Sequence, residues 1–366
     1  MTDLAWFLFA IPIALGIYTY VGYPLMLWGI ARVRGETPEF APPVEWPLVT
    51  IVVPAYNEEA QIRGAVEALL AQDYPVERRQ ILVLSDASTD RTDLIVREYA
   101  ERGVELLRMP VRGGKTAAEN ASCALIRGDI VVNTDSSIRL MPGTVRALVQ
   151  RMTDPRVGVA SGRDVSVSVT TAAANATEAG YVNYEMAIRD LETRAGGIVG
   201  ASGSGYAIRT HLHLHPIRDD LSRDFSAALT ARTHGYRAVS VNSALCVVPR
   251  TSSLRHEYTR KVRTISRGMA TLYHNRHLLS MSEYGLFAWK LFSHKICRWL
   301  VPLSAIPGLT GLALLAPAHA WAAVLLAGAV IVGALGLAGR FWPASRSMPR
   351  LVSFPSRPLV SPPTWQ

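Results

Sequence analysis

Cysteine is scarce. Cys123, Cys246 and Cys297 are scattered over 366 residues, which excludes a disulfide framework and any paired-cysteine zinc spacing. Charge is thin as well: 18% of residues are Asp, Glu, Lys or Arg against 49% hydrophobic, the reverse of the balance that keeps a chain disordered. Acidic residues number 29 against 38 basic ones, a net charge of +9. That excess is compatible with a nucleic acid, an anionic membrane surface or a phosphorylated substrate. A phosphate loop is missing: Gly114-Lys115-Thr116 looks like the end of one, but position 109 is Met rather than Gly, and no strand runs straight into the segment. Lys115 at a helix start is still suited to meet a diphosphate, helped by the helix dipole. No internal repeat is visible.

Charge is also unevenly distributed. Leu4 to Ala31 carries no charged residue over 28 positions, more than the roughly 20 needed to cross a bilayer. Asp3 precedes this run and Arg32 and Arg34 follow it, the wrong order for a cleaved secretory signal. Residues 1–34 are therefore expected to be a membrane span with its N-terminus outside. Trp299 to Gly339 also lacks Asp, Glu, Lys and Arg, and Pro317-Ala318-His319-Ala320 splits it. Residues 299–339 thus predict a transmembrane hairpin with both basic flanks in the cytoplasm. Residues 284–298 mix aromatic and basic side chains, as an interfacial helix does. Glu36 to Pro47 is proline-rich and makes 35–47 a linker, while 340–366 reads as a disordered tail. The expected organisation is a cytoplasmic domain over 48–283, held at the inner membrane by about three helices. Asn175-Ala176-Thr177 matches a glycosylation acceptor but falls on the cytoplasmic side.

Within that domain Leu48 to Val53 is a continuous apolar, β-branched run, the pattern of a strand buried on both faces. Glu58 to Gln72 has helical spacing. Strands follow at 80–84, 104–107 and 129–132, with helices after Asp90 and near Lys115. This alternation predicts an α/β fold with a mostly parallel sheet flanked by helices. Ligands of such sheets sit beyond the carboxyl ends of the strands. Those ends carry Pro54-Ala55-Tyr56-Asn57-Glu58, then Asp86, then Asn133-Thr134-Asp135-Ser136-Ser137. Helix capping is the competing account, above all for Asp90 and Asn57.

These stretches resemble the membrane-bound family 2 glycosyltransferases, in the branch of hyaluronan, cellulose and poly-N-acetylglucosamine synthases. The resemblance runs from about residue 47 to 280. It includes Gly113-Gly114-Lys115-Thr116, Gly200 to Arg209, Asp224-Phe225 and Gly235-Tyr236-Arg237. It implies a GT-A-type, Rossmann-like fold with a mixed, mostly parallel sheet. Ala55, Tyr56 and Glu58 would then line a uridine pocket, Asp86 hold the base or ribose, and Lys115 approach the diphosphate. Asp135, with Ser137 in place of a second acid, would hold Mg²⁺ or Mn²⁺, hard cations that prefer oxygen ligands. Asp224 would be the catalytic base, with Asp219 and Asp220 as rivals; Arg223 stands where the family usually has an acid. Gly203, Ser204, Gly205 and Asp220 would face the acceptor. Arg263 matches the arginine of the family's Gln-x-x-Arg-Trp motif and would meet the diphosphate; the tryptophan is replaced by Thr264.

The implied activity is inverting transfer of a hexosyl or N-acetylhexosaminyl group from a UDP-sugar to a glycan acceptor at the membrane, in polysaccharide synthesis. Non-processive glycosylation of a lipid is the alternative, and an inactive nucleotide-sugar-binding scaffold is the reading from another class. The basic run Arg255 to Arg267 suits membrane lipid headgroups rather than nucleic acid. His211-Leu212-His213-Leu214-His215 would place three histidines on one face if extended; a polar strand or loop is the plainer reading.

Overall fold

The apolar run behind the linker forms strand β1 (Val49–Ala55). All seven of its residues are buried, because both faces of the strand are covered. Val49, Ile51 and Val53 pack into one core with the helices Ile62–Leu70 and Thr144–Arg151. Val52 joins a second core with Leu82, Val131, Ala118 and Ala228 on the opposite face. Burial of each such side chain is worth about 1.5–3 kcal/mol, and it is this two-sided demand that produces an unbroken rather than alternating apolar run.

The computed structural model describes residues 2–35, 40–167, 173–249 and 254–340. The chain divides into two units, one of residues 1–29, 251–265 and 284–366, the other of residues 30–250 and 266–283. The second unit is built on an eight-stranded sheet. Its remaining strands are β2 (Arg79–Ser85), β3 (Val104–Arg108), β4 (Ile130–Thr134), β5 (Arg139–Leu140), β6 (Val157–Val167), β7 (Gly205–Arg209) and β8 (Arg237–Pro249), in the order β3-β2-β1-β4-β7-β6-β8-β5. Pairs β1/β2, β1/β4, β2/β3 and β6/β8 are parallel; β4/β7, β6/β7 and β5/β8 are antiparallel. The sheet is thus mixed. The chain winds outward from β1 to β3 and then returns to β4 on the other side of β1, so the order reverses between β1 and β4. A crevice opens at such a reversal, outside the carboxyl ends of the strands.

The helix expected from Glu58 begins only at Ile62. Asn57 is left-handed, with φ 53°, and Glu58 O accepts both Gln61 N (2.9 Å) and Ile62 N (2.8 Å). The intervening residues therefore form a turn.

The helices Thr2–Arg34, which lies in the first unit up to residue 29, and Leu286–Leu315 are long and apolar enough to cross a membrane, and Ala320–Gly336 is a shorter apolar helix. Three spans were expected. Residues 286–298 do not form a separate interfacial helix: they run into the apolar stretch without a break, through a wider π turn at Phe292–Cys297. Nothing there stops a helix, since Gly285 lies before the segment and Pro302 after it. At Gly311 the first and second of these helices touch main chain to main chain: a Cβ there would lie 2.6 Å from Phe9 N and 2.8 Å from Ala5 O. Trp6, Phe9, His319 and Trp321 form an aromatic cluster at the hairpin turn. Residues 36–39 of the linker, and the tail beyond Arg340, lie outside the described residues.

Candidate active site

Two strand ends carry a strained backbone. Asn57 follows β1, and Ala87, with φ 56°, follows β2. A left-handed alanine is uncommon and persists where its surroundings over-determine it. The two loops are stitched together: Asn57 Oδ1 accepts Thr89 N (2.8 Å), Glu58 N donates to Thr92 Oγ1 (2.8 Å), and Glu59 N donates to Asp90 Oδ2 (3.0 Å). Asp90 Oδ1 also accepts Thr92 N at 3.0 Å. Asn57 and Asp90 therefore do the capping and tying that competed with a ligand role.

Asp86 is almost fully buried. Its carboxylate accepts Gly113 N (2.7 Å) and Gly114 N (2.8 Å), so it anchors the loop that delivers Lys115. The sequence pointed to a base or ribose contact; this anchoring was not foreseen. The same loop holds Arg112, whose guanidinium lies 3.8 Å from the centre of the Tyr56 ring, a cation–π contact at the face expected to receive the base.

Lys115 is the hub. Its Nζ lies 2.5 Å from Asp135 Oδ1. Burial works against its charge, but Asp135, Glu119 and Asp224 outweigh it and hold the ammonium well above the ordinary lysine range. Asp135 directly follows β4, with Ser137 two residues on. Thr134, the last residue of β4, pairs across the sheet with Gly205, and Thr134 Oγ1 donates to Ser204 O (2.7 Å). This register brings the glycine-rich loop beside Asp135. Gly205 has no room for a side chain, because a Cβ would lie 2.6 Å from Cys246 Sγ. Gly203 faces Asp224: a Cβ there would lie 3.0 Å from Asp224 Oδ2. Asp224 sits in the first turn of the helix Arg223–Thr233 and accepts a short hydrogen bond from Ser222 Oγ. Asp86, Asp135 and Asp224 therefore all surround the Gly113–Lys115 segment.

Glu58 joins the rim. Burial raises its pKa above the ordinary glutamate value, with a hydrogen bond to Ser136 opposing the rise and Asp135 adding to it. Ala55, buried at the end of β1, accepts Asp86 N through its carbonyl at 2.9 Å.

Two sequence candidates, Asp219 and Asp220, fall elsewhere. Asp220 is exposed and salt-bridged to Arg218 (3.0 Å), and Asp219 Oδ1 accepts Asn120 Nδ2 (3.2 Å), so neither rival of Asp224 pairs with a member of the cluster. Arg263 is exposed and belongs to the first unit. Arg267, one helical turn further and in the second unit, does approach the loop: its Nη2 lies 4.0 Å from the point a Cβ of Gly114 would occupy. Sequence reasoning missed it, although the i, i+4 spacing from Arg263 was available. The histidine repeat is not extended, because Thr210–His213 is a short helix. His211 contacts Tyr236, His215 contacts His234, and His213 is buried against Arg223.

The oxygen donors suit a hard cation only in part. Among the described residues no group of three or more His, Cys, Asp or Glu could hold a metal ion. Asp135 is 41% exposed, and Ser137 follows two residues on in the chain. One carboxylate completed by substrate phosphates is a set that Mg²⁺ accepts, so the residues present fit a cation that arrives with a diphosphate.

Comparison with known proteins agrees with this geometry. Residues 50–211 match Glycosyl transferase family 2. The beta-monoglucosyldiacylglycerol synthase of Synechocystis sp. is 34% identical over 139 residues, 35% of this chain and 29% of that protein. An N-acetylglucosaminyltransferase of Rhizobium meliloti is 35% identical over 130 residues, 34% of this chain and 30% of that one. The matched stretches thus span less than a third of the length of these two relatives. The structure of mannosyltransferase PcManGT from Pyrobaculum calidifontis, in complex with GDP-Man and Mn²⁺, superposes with a TM-score of 0.68 at 27% identity, covering 89% of this chain and 92% of that one. The mixed sheet with its flanking helices fits the GT-A fold. Residues 50–211, which carry Asp86, Lys115 and Asp135, thus form a domain of Glycosyl transferase family 2.

Proposed function

We propose that the protein transfers a hexosyl or N-acetylhexosaminyl group, with inversion, from a nucleoside-diphosphate sugar to a lipid acceptor at the membrane surface. The observation that carries the proposal is the Lys115–Asp135 ion pair, 2.5 Å long, with Asp224 within electrostatic reach of the same lysine. Asp135 and Ser137 would hold Mg²⁺ or Mn²⁺, which when bound supplies charge to stabilise the diphosphate leaving group. Lys115, helped by Arg267, meets the diphosphate oxygens. Tyr56, Arg112 and Ala55 border the base. Asp224 accepts the proton of the acceptor hydroxyl as its oxygen bonds to the sugar's anomeric carbon and the bond from that carbon to the diphosphate breaks. No covalent enzyme intermediate is required.

A lipid acceptor is favoured over polymer extension by the glucosyldiacylglycerol relative and by the two long apolar helices. These helices suit a multi-pass inner-membrane protein with its catalytic domain in the cytoplasm. Uridine and guanosine donors both have support, from a GDP-Man-bound neighbour and from the resemblance to UDP-sugar enzymes.

The test uses the purified full chain in lipid nanodiscs containing diacylglycerol, with Mg²⁺ or Mn²⁺ and UDP-glucose, UDP-N-acetylglucosamine or GDP-mannose. Nucleotide release and glycolipid product are scored. The expected result is transfer from one donor, abolished in Asp224→Asn. Absence of transfer from every donor, or full turnover in Asp224→Asn, would overturn the reading.

A further inference from the structure

Arg223 breaks the family's acidic pattern at the residue directly before Asp224. Its environment gives a reason. The side chain is 3% exposed and its guanidinium is held at several points: Nη1 donates to Asn120 Oδ1 (2.6 Å), Nη2 donates to His213 O (2.9 Å), and Nε lies 3.5 Å from Glu119 Oε2. Glu119 is fully buried, and neither of its carboxylate oxygens makes a hydrogen bond.

A buried carboxylate without hydrogen bonds is a poor stabiliser. Removing two charges from water is expensive, and an ion pair offsets this only when its remaining lone pairs are satisfied. Burial raises the Glu119 pKa, opposed by Lys115 and Arg223. Stability alone therefore does not account for the pair, but its position does. Glu119 is one helical turn from Lys115 on the helix Lys115–Ser122, and Arg223 opens the helix that carries Asp224. The pair ties the helix of the diphosphate-facing lysine to the helix of the base.

We infer that Glu119 and Arg223 are positioning residues which act as one unit, Glu119 supplying from a neighbouring helix the negative charge absent at position 223 and thereby fixing Asp224 relative to Lys115. This rests on Asp224 being the base. Charges and titratable groups facing the pair come from every side: Lys115 on the same helix, Asp135 after β4, Tyr206 on β7, His213 on the preceding short helix, and Asp224 itself.

The experiment compares Glu119→Gln, the double variant Glu119→Gln/Arg223→Gln and Asp224→Asn, as full chains in nanodiscs, by kcat, donor KM and Tm. Arg223→Gln alone leaves the Glu119 charge without its partner and is at risk of misfolding; the double variant removes both charges. The expected result for Glu119→Gln is a kcat roughly tenfold lower, an unchanged donor KM, and a Tm that holds or rises. A purely structural role would lower kcat and Tm together. The double variant is expected to be no slower than Glu119→Gln, because the two residues act through one another. An unchanged kcat in Glu119→Gln, a parallel loss of Tm, or a further fall in kcat in the double variant would each overturn the inference. Full turnover in Asp224→Asn would instead overturn the base assignment, so the two failures are told apart.

Discussion

Gly203→Ala separates what the fold tolerates from what the chemistry tolerates. A Cβ at this position would stand 3.0 Å from Asp224 Oδ2 and 3.6 Å from its Cγ. The carboxylate must move a few tenths of an ångström to restore ordinary contact. Gly203 is not among the residues with positive φ, so alanine fits its backbone. The obstacle is the end of one short side chain, and the overpacking should cost about 1 kcal/mol, largely offset by the entropy alanine removes from the unfolded chain. Tm should therefore move by no more than about 2–4 °C. Catalysis is less forgiving, since misplacing a reacting group by about 1 Å can cost about 100-fold; a shift of a few tenths predicts roughly a 5–10-fold fall in kcat by the same scaling. The assay is nucleotide release at saturating donor, with a thermal melt of the same preparation. An unchanged kcat would mean that Asp224 is not position-sensitive and is not the base. A collapse of Tm would mean that the loop, not the carboxylate, absorbs the strain.

Gly128→Ala should behave oppositely: its Cβ would meet Thr50 N at 2.5 Å and Val49 C at 2.7 Å, backbone that cannot yield, so a loss of about 3 kcal/mol should appear as a marked drop in Tm. Asp86→Asn loses at least one of the two amide bonds that hold the Gly113–Gly114 loop, and donor KM should rise about tenfold, the measure of about 1.4 kcal/mol, with kcat changing less. Asp154 is buried; burial would raise its pKa, but hydrogen bonds from Arg156, with Arg237 nearby, bring it down to about 2. Its contribution is fully present above the ordinary aspartate value and is lost as pH falls through about 2, so Asp154→Asn should cost about 2 kcal/mol at neutral pH, and the gap in denaturation midpoint should close near pH 2. Arg267→Ala should raise donor KM, read by nucleotide release over a donor titration; an unchanged donor KM would remove Arg267 from the diphosphate site.

Strands β1, β2 and β4 were legible because burial on both faces writes itself as an unbroken apolar run, and the acids after them were legible because they interrupt that run. The mixed nature of the sheet came from the family resemblance rather than from periodicity: β7 pairs antiparallel with β4, Thr134 opposite Gly205, and no hydrophobic pattern announces that direction. Asp86 could be found but its partners could not, since backbone amides leave no mark in a sequence. Arg223 looked like a defect until Glu119, more than a hundred positions earlier, was seen beside it. The histidine repeat could not be placed from spacing, which does not distinguish an extended segment from the short helix Thr210–His213. The apolar zones were plain, yet the unbroken helix through 286–315 was not, as aromatic and basic residues near a membrane suit either arrangement.

The contact of Gly311 with the peptide groups at Ala5 and Phe9 has a mechanical corollary. If the proposed membrane placement holds, helices in hydrocarbon gain little from hiding oil from oil, and close approach of their backbones becomes the main source of grip. Because a Cβ at position 311 would meet Phe9 N at 2.6 Å and Ala5 O at 2.8 Å, backbone atoms that cannot yield, glycine fixes the crossing point of this helix pair. The two helices should therefore move as one strut, and replacing Gly311 with leucine should unlock them while leaving every residue of the second unit unchanged.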